Sequence, residues 1–359
     1  MATIPEMQKL PLVFKAGHGA RQIIAQNGVQ PENIGALAGA AGGPKWLVLS
    51  AIDRLLFGNW LASRRAPLPL VGSSIGSWRF AAGCQADPNA AISRLENLYI
   101  EQQFSDQPGV AEITAMGRHI LNKTLGEAGD QRILQHPWAR LHVVTAHCQG
   151  LTSTDRRLPL AAGFSAAFLA NLISRQRLGN HLHRHVFADQ RNALGPEAFP
   201  DFKFRSLALN ESNLHDALLA SGSIPFVLQK VSVNGVDSYR DGGLIDYHMD
   251  LPLSEDKIVL MPHFSKRVTT GWLDKGLPWR SPGSMSNHLL IHPSDDWIAS
   301  LPDGKIPDRT DFKRYANDYS RRVQIWREVA QRSEELAECL ANRIEKNDWL
   351  DHVKPINSH

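Results

Sequence analysis

Short apolar runs alternate with segments of helical spacing along the first half of the chain. Residues 34–38 are apolar and end in a run of small residues, after which apolar positions recur at helical spacing from Pro44 onward. Residues 68–71 repeat this pattern, with a glycine-containing turn and a helix predicted to end near Gly83. Further strands are predicted at 141–146 and 186–188, and a further helix at 214–221. The alternation predicts a mainly parallel sheet covered by helices.

The second half of the chain changes character after a predicted last core strand at 257–261. Residues 266–307 are rich in Pro, Gly, Ser and Trp and are predicted to form an irregular loop. Residues 311–350 are polar and carry an apolar stripe that predicts a long amphipathic helix or helix pair packed on the core, with a partner-binding or dimerising helix as the alternative. The stripe consists of Tyr315, Tyr319, Val323, Ile325, Trp326, Val329, Leu336 and Leu340. We expect a core at 30–265, and a loop-rich segment with a C-terminal helical extension at 266–359.

Composition indicates a cellular compartment and gives no support for a nucleic-acid partner. The chain has 39 Lys and Arg against 36 Asp and Glu, so its net charge of +3 gives no reason to expect a nucleic-acid partner. Cys84, Cys148 and Cys339 form no C-x-x-C pair, which favours a reducing compartment, and we expect the cytoplasm. Residues 1–19 lack the pattern of a secretory signal. The most apolar stretch, 158–173, is shorter than a membrane-spanning helix, so none is predicted.

A candidate nucleophile lies in the second of the strand-to-helix turns. Gly72-Ser73-Ser74-Ile75-Gly76 matches G-x-S-x-G, a sharp turn that lifts a serine hydroxyl out of the sheet at the start of a helix. Only Ser74 has glycine two positions before and two after it. Ser73 and Ser77 are interpreted as packing or capping residues. The pattern predicts that Ser74 attacks an ester carbonyl. The N-terminus of the following helix would stabilise the negatively charged oxygen, the oxyanion, that forms in this step.

The candidate base is less well defined by local pattern. A serine hydroxyl must lose its proton as it attacks, so a proton acceptor is required. His248 and His263 are late histidines of the kind a Ser-Asp-His triad would use, but neither has a recognisable local frame. Asp241, at the end of a probable strand and before Gly242 and Gly243, does have one, although Asp-Gly-Gly is also a common turn.

A glycine loop near the first strand is the candidate oxyanion hole. The backbone N–H groups of Gly42 and Gly43 can converge on an anion, whereas Pro44 has no N–H to offer. Lys45 adds positive charge, and Trp46 after it rules out the phosphate-binding G-K-[ST] frame.

These three motifs in this order resemble the patatin-like phospholipase family. The run Ala220-Ser221-Gly222-Ser223-Ile224-Pro225 before Asp241-Gly242-Gly243 is similar to the family's A-S-x-x-x-P preceding its D-G-G or D-G-A. The resemblance spans residues 34–252. It implies a three-layer α/β/α fold, no metal or cofactor, and hydrolysis of acyl esters in lipids.

Carried over to this chain, the resemblance implies a Ser74–Asp241 dyad without histidine. It implies an oxyanion hole built from Gly42 and Gly43, with Ala41 as a further donor. Lys45, Gly72, Gly76, Gly242 and Gly243 are implied as supporting residues. Trp46 stands where the family has a glycine, so we expect an altered loop and low or substrate-restricted activity.

The same motifs leave other functions open. The dyad could serve an acyltransferase or a thioesterase, and the chain could be a catalytically weak homologue that binds lipid or a partner. Residues 160–173 are interpreted as a buried helix, or as the wall or cap of an apolar trough flanked by Arg156, Arg157, Arg175 and Arg177. A transient contact with a membrane surface is therefore a further hypothesis.

One histidine pattern is assigned no role in the chemistry. His181, His183 and His185 alternate as residues on one strand face do, but no cysteine or carboxylate partner stands at a known metal-ligand spacing. We interpret them as a solvated strand face and expect no metal.

Overall fold

The computed structural model describes residues 10–356. Residues 1–9, on which part of the expectation about a secretory signal falls, lie outside the described residues. The strands of the described chain are β1 (Leu12–Ala16), β2 (Ile34–Gly39), β3 (Leu68–Ser73), β4 (Ala139–Cys148), β5 (Leu182–Ala188), β6 (Phe204–Ala208), β7 (Val231–Val233), β8 (Val236–Asp241), β9 (Ile258–Pro262), β10 (His288–Pro293) and β11 (Val353–Pro355).

The helices complete the element order. They are α1 (His18–Asn27), α2 (Ser50–Leu55), α3 (Ile75–Gly83), α4 (Pro88–Ile100), α5 (Val110–Leu125), α6 (Gly129–Leu134), α7 (Arg157–Ile173), α8 (Arg175–Leu178), α9 (Leu214–Ser221), α10 (Asp295–Ala299), α11 (Thr310–Arg314) and α12 (Tyr319–Lys346). None of these helices is long and apolar enough to cross a membrane.

The strands form one mixed, mostly parallel sheet in the order β11-β1-β10-β9-β2-β3-β4-β5-β6, with β8 beside β4 and β7 beside β8. The central strands β9, β2, β3 and β4 run parallel, and β5 and β8 pair with β4 in the antiparallel direction. Every residue of β3 is buried, as expected of a parallel strand covered on both faces. The predicted α/β/α fold class is confirmed.

The segment 266–307 is more regular than its composition suggested. It contains β10 and α10, and β10 is fully buried between β1 and β9. The predictions of an irregular loop and of 257–261 as the last core strand were therefore wrong. Histidines and a proline at its ends make β10 a weak strand pattern, and pairing on both sides stabilises it. The sheet thus takes in β1, β10 and β11, which lie outside 30–265.

The C-terminal residues form the short α11 and the long α12. Of the two predicted forms, the single long amphipathic helix packed on the core is the one observed. Trp326, Val329, Leu336 and Leu340 of the predicted stripe are buried. Ser333, also on this face, lies with its hydroxyl 3.3 Å from the hydroxyl of Ser50 at the start of α2. The extension therefore packs against the helix that follows the glycine loop.

Candidate active site

Strand β4 aligns the two candidate catalytic residues. Ser73, the last residue of β3, pairs with Val144 of β4, and Asp241, the last residue of β8, pairs with Thr145. The end of β3 and the end of β8 therefore meet on the same flank of β4. Residues that are far apart in the chain, Ser74 and Asp241, become neighbours because one strand serves as the template for both.

The turn at Ser74 is strained and needs its glycines. Ser74 has φ 54° and ψ −130°, in a region that non-glycine residues rarely adopt, and α3 begins at the next residue. A Cβ on Gly72 would lie 2.5 Å from the Ser77 nitrogen, and one on Gly76 would lie 2.1 Å from the Gly39 carbonyl oxygen. Ser77 donates to the Ser74 carbonyl oxygen at 2.7 Å, a local bond within the first turn of α3.

Ser74 and Asp241 are joined by a direct hydrogen bond. The Ser74 hydroxyl donates to Asp241 Oδ2 at 2.9 Å, and both residues are buried, at 4% and 6% exposure. The other carboxylate oxygen, Oδ1, accepts from the Gly243 amide at 2.7 Å. A Cβ on Gly242 would lie 2.2 Å from the Val144 carbonyl oxygen, so this position also requires glycine. The carboxylate is held with one oxygen directed at the serine.

Opposing effects act on the pKa of Asp241. Burial raises the pKa of this carboxyl above its ordinary value. The positive charge of Arg309, the Gly243 and Ser74 hydrogen bonds and the charge of Lys275 offset part of this rise. Burial and neighbouring cations lower the pKa of Lys275 to about 8. Arg309 and Lys275 are not predictable from the sequence, because each is a single basic residue in a segment without a motif.

A serine from the segment before Asp241 also supports the site. Ser221 donates from its hydroxyl to the Val144 carbonyl oxygen at 2.7 Å and accepts from the Ser74 amide at 2.8 Å. The Ser223 carbonyl oxygen accepts from the Asp241 amide at 3.0 Å. This segment therefore binds the backbone of both candidate catalytic residues, which gives its A-S motif a structural role.

The three predicted oxyanion donors of the glycine loop differ in the backbone partners of their amides. Gly42 and Gly43 lie at the start of a 3-10 helix, where the first amides have no partner inside the helix, and Gly43 lines the same cavity as Ser74. The Ala41 amide already donates to the Tyr247 carbonyl oxygen at 2.8 Å. Ala41 is therefore corrected from donor to structural residue, because its N–H fixes the loop to the segment after β8.

Lys45 and Trp46 take different environments within the 3-10 helix. Trp46 is fully buried, packs edge-to-face on Tyr99 and does not line the cavity beside Ser74. The Lys45 ammonium lies 5.2 Å from the centre of the Phe264 ring, and burial lowers its pKa. The bulky side chain expected to disturb the loop thus belongs to the core.

An apolar cavity opens beside the Ser74 hydroxyl. Its volume is about 320 Å³, and most of its lining is apolar, while Gly43 and Arg309 add polar groups near the serine. The apolar lining includes Trp78, Ile113, Ile120, Val227, Leu228 and Phe312. Such a cavity suits a hydrocarbon chain whose reacting end lies at Ser74.

The histidines considered as bases lie elsewhere. His248 accepts from the Thr269 amide at 2.9 Å, and His263 lies against Phe264. Burial lowers the pKa of both rings, that of His263 to about 3. Neither ring lines the cavity or bonds to Ser74.

Only His147, His183 and His185 among residues 10–356 form a group that could hold a metal. Their ring nitrogens lie within 4.8 Å of one another, and burial lowers the pKa of each ring. However, the rings of His147 and His185 are stacked, 4.6 Å apart and only 23° from parallel. Because a metal must lie in the plane of each imidazole that binds it, these two rings do not point at a common ion.

Together, these features define an α/β protein with a buried serine and aspartate beside an apolar cavity. Consistent with this class, a family model for patatin-like phospholipases matches residues 46–249, more than half of the chain. The chain belongs to the patatin-like phospholipase family, a family of lipid acyl hydrolases. None of the curated proteins compared with the chain matches it.

Proposed function

We propose that this protein hydrolyses acyl ester bonds in lipids, with Ser74 as nucleophile and Asp241 as base. The observation that carries the proposal is the 2.9 Å hydrogen bond from the Ser74 hydroxyl to Asp241, beside an apolar cavity that Ser74 lines. The bond supplies a proton acceptor for the serine, and the cavity supplies room for an acyl chain.

In the acylation step, the Ser74 oxygen attacks the ester carbonyl carbon while its proton passes to Asp241 Oδ2. The carbonyl oxygen becomes an oxyanion, which the Gly42 and Gly43 amides stabilise. The carbon–oxygen bond to the alcohol then breaks, and the alcohol leaves with the proton from Asp241. In the deacylation step, Asp241 takes a proton from water as the water oxygen attacks the acyl-enzyme carbonyl carbon. The bond from that carbon to the Ser74 oxygen then breaks, Asp241 returns the proton to the Ser74 oxygen, and the fatty acid leaves.

The proposal includes a compartment and a site of action. Cys84, Cys148 and Cys339 are buried and unpaired, which supports a reducing compartment such as the cytoplasm. A lipid substrate in that compartment resides in a membrane, so the protein would act by transient contact with a membrane surface.

Substitution of the two residues tests the proposal. We expect Ser74→Ala and Asp241→Asn each to lower kcat/KM for a soluble acyl ester by at least about 10³-fold, because neither variant can form the activated serine. Asp256→Asn, at an exposed aspartate, is the matched control and should keep full activity. A fluorophosphonate probe should label wild-type protein at Ser74 alone.

Folding and product analysis complete this experiment. The melting temperatures of both variants must show that they are folded. Hydrolysis retained by a folded Ser74→Ala variant would overturn the proposal. Transfer of the acyl group to added glycerol or lysolipid, with little free fatty acid, would show instead that the protein is an acyltransferase that uses the same residues.

A further inference from the structure

Helix α7 presents an uncharged apolar face to solvent. No charged residue occurs from Leu158 to Ile173, a stretch that includes 160–173, which was predicted as an apolar wall or buried helix. One side of α7 is buried on the protein, through residues such as Leu160, Phe164 and Ala167. The opposite side is exposed and carries Leu158, Ala162, Ser165, Ala166, Leu169, Leu172 and Ile173. The expectation of an ordinary buried helix is therefore wrong for half of its surface.

The exposed apolar side chains of the molecule are concentrated at this helix. Within residues 10–356, eleven large hydrophobic side chains are exposed, and four of them are on α7. Leu158 is 83% exposed, Ile173 67% and Leu169 60%. Two more exposed residues, Leu151 and Phe226, belong to segments that pack on α7. Trp279 is also exposed and precedes Arg280, which donates to the Asn171 carbonyl oxygen of α7. The name α7 face is used below for the four exposed residues of the helix together with Leu151 and Phe226, without Trp279. Its members are Leu151, Leu158, Leu169, Leu172, Ile173 and Phe226.

The α7 face is fixed in position relative to the active site. Before α7, Asp155 accepts from Arg240, the residue that precedes Asp241, at 2.6 Å. Near the C-terminal end of the helix, Asn171 donates to Asp274 at 2.7 Å, and Lys275 follows. One end of the helix is thus bonded to the residue before the candidate base, and the other end to the residue before Lys275, whose charge acts on that base.

The α7 face is also continuous with the acyl cavity. The Phe226 ring lies 6.0 Å from the ring of Phe164 on the buried side of α7. Ile224 and Val227, on either side of Phe226, line the cavity that contains Ser74. An apolar surface therefore leads from the outside of α7 toward the cavity where the acyl chain would lie.

Basic residues flank the α7 face at both ends. Arg156 and Arg157 lie at its N-terminal end and Arg177 beyond its C-terminal end, all exposed and without an ion pair to any described residue. An apolar helix face between unpaired arginines has the pattern of a surface that inserts into a bilayer while its cations contact lipid phosphates.

We propose that the α7 face docks this protein on anionic lipid bilayers and so presents the apolar cavity to its substrate. This rests on the proposed function for its purpose, although the docking itself does not require catalysis. The side chains of Leu169 and Ile173 enter the acyl region, and Arg156, Arg157 and Arg177 attract phosphate groups at its edge. A second copy of the chain is the competing occupant of such a face.

Vesicle binding by the full-length chain tests the docking. Ser74→Ala protein, which leaves vesicles intact, is mixed with phosphatidylcholine vesicles with and without phosphatidylglycerol, and bound protein is measured by co-sedimentation. We expect stronger binding to the anionic vesicles. The double variant Leu169→Ser with Ile173→Ser should weaken that binding by about tenfold or more, because two apolar side chains no longer enter the bilayer. Arg156→Gln with Arg157→Gln should remove the preference for anionic vesicles.

Leu350→Ser is the matched control, since Leu350 is 50% exposed and lies beside β11 at the far edge of the sheet. It should bind as strongly as the parent. The same double variant is also made with the wild-type Ser74. Hydrolysis of a soluble ester by that protein establishes that the double variant is folded. Equal binding by parent and double variant, or no vesicle binding by the parent, would overturn the docking. So would a dimer that dissociates in the double variant without any vesicle binding. Retained hydrolysis by Ser74→Ala would instead overturn the proposed function alone.

Discussion

At the scale of single residues, the proposed chemistry depends on the charge of Asp241. The carboxylate must be ionised to accept the Ser74 proton, but burial favours its neutral form and raises its pKa. Arg309 is the cation that lowers this pKa most, and it lines the cavity beside Ser74. A residue from the far end of the chain thus offsets part of the effect of burial on the pKa of Asp241.

The pH profile should report this interaction. Since Asp241 acts as its anion, kcat/KM should fall as the pH drops through its pKa. In Arg309→Gln the positive charge is lost, the pKa of Asp241 rises, and the acidic limb of the profile should move to higher pH. Arg314→Gln is the control, because Arg314 is an exposed arginine of α11 that pairs with Asp303. An acidic limb that stays in place in Arg309→Gln would contradict this account.

At the scale of elements, the site is a junction of β3 and α3 formed under strain. Ser74 holds a positive φ because β3 must turn into α3 within one residue, and Gly76 allows α3 to approach the backbone of β2. Strain of this kind persists only where the surrounding elements fix it. Here the Ser221 hydroxyl holds the strained amide.

A pair of substitutions at Ser74 should measure this strain. Ser74→Gly and Ser74→Ala both remove the hydroxyl, and only glycine adopts a φ of 54° without a steric penalty. We expect Ser74→Gly to be more stable than Ser74→Ala by about 1 kcal/mol in urea unfolding, with both inactive. Equal stability of the two variants would mean that the turn is not strained in solution.

At the scale of the whole molecule, the cavity is assembled from distant parts of the chain. Helix α3 contributes Trp78, α5 contributes Gly117, and the C-terminal extension contributes Phe312. Phe312 in turn packs edge-to-face on the buried Trp326 of α12. The extension therefore forms part of the cavity wall, and the shape of the cavity should set the acyl-chain preference.

Filling the cavity from α5 should change that preference. A Cβ on Gly117 would lie 3.4 Å from the side chain of Leu219, so Gly117→Leu places its remaining atoms in the cavity and also raises helix propensity. We expect kcat/KM for a palmitoyl ester to fall about tenfold or more, while that for a butyryl ester changes little. Ala115→Leu, at an exposed position of α5, should alter neither. Parallel losses for both esters would show that the chain does not occupy this cavity.

The sequence by itself determined the central strands, the long helix near the C-terminus and the order of the three motifs. Strands β2, β3 and β9 were predictable because a parallel strand buried on both faces must be a continuous apolar run. The motifs were visible because glycine is required wherever a Cβ would meet backbone, as at Gly72, Gly76 and Gly242. These constraints act within a few residues, so they leave a local mark.

Tertiary structure decided the features that depend on partners from elsewhere in the chain. Strand β10 forms because β1 and β9 pair with it, and the Ala41 amide is used by a carbonyl beyond β8. The charge of Arg309 acts on Asp241 because the C-terminal extension packs on the core and brings the two residues near each other. Pairing, exposure and electrostatic effects on a pKa depend on distances in space, and spacing along the sequence does not contain those distances.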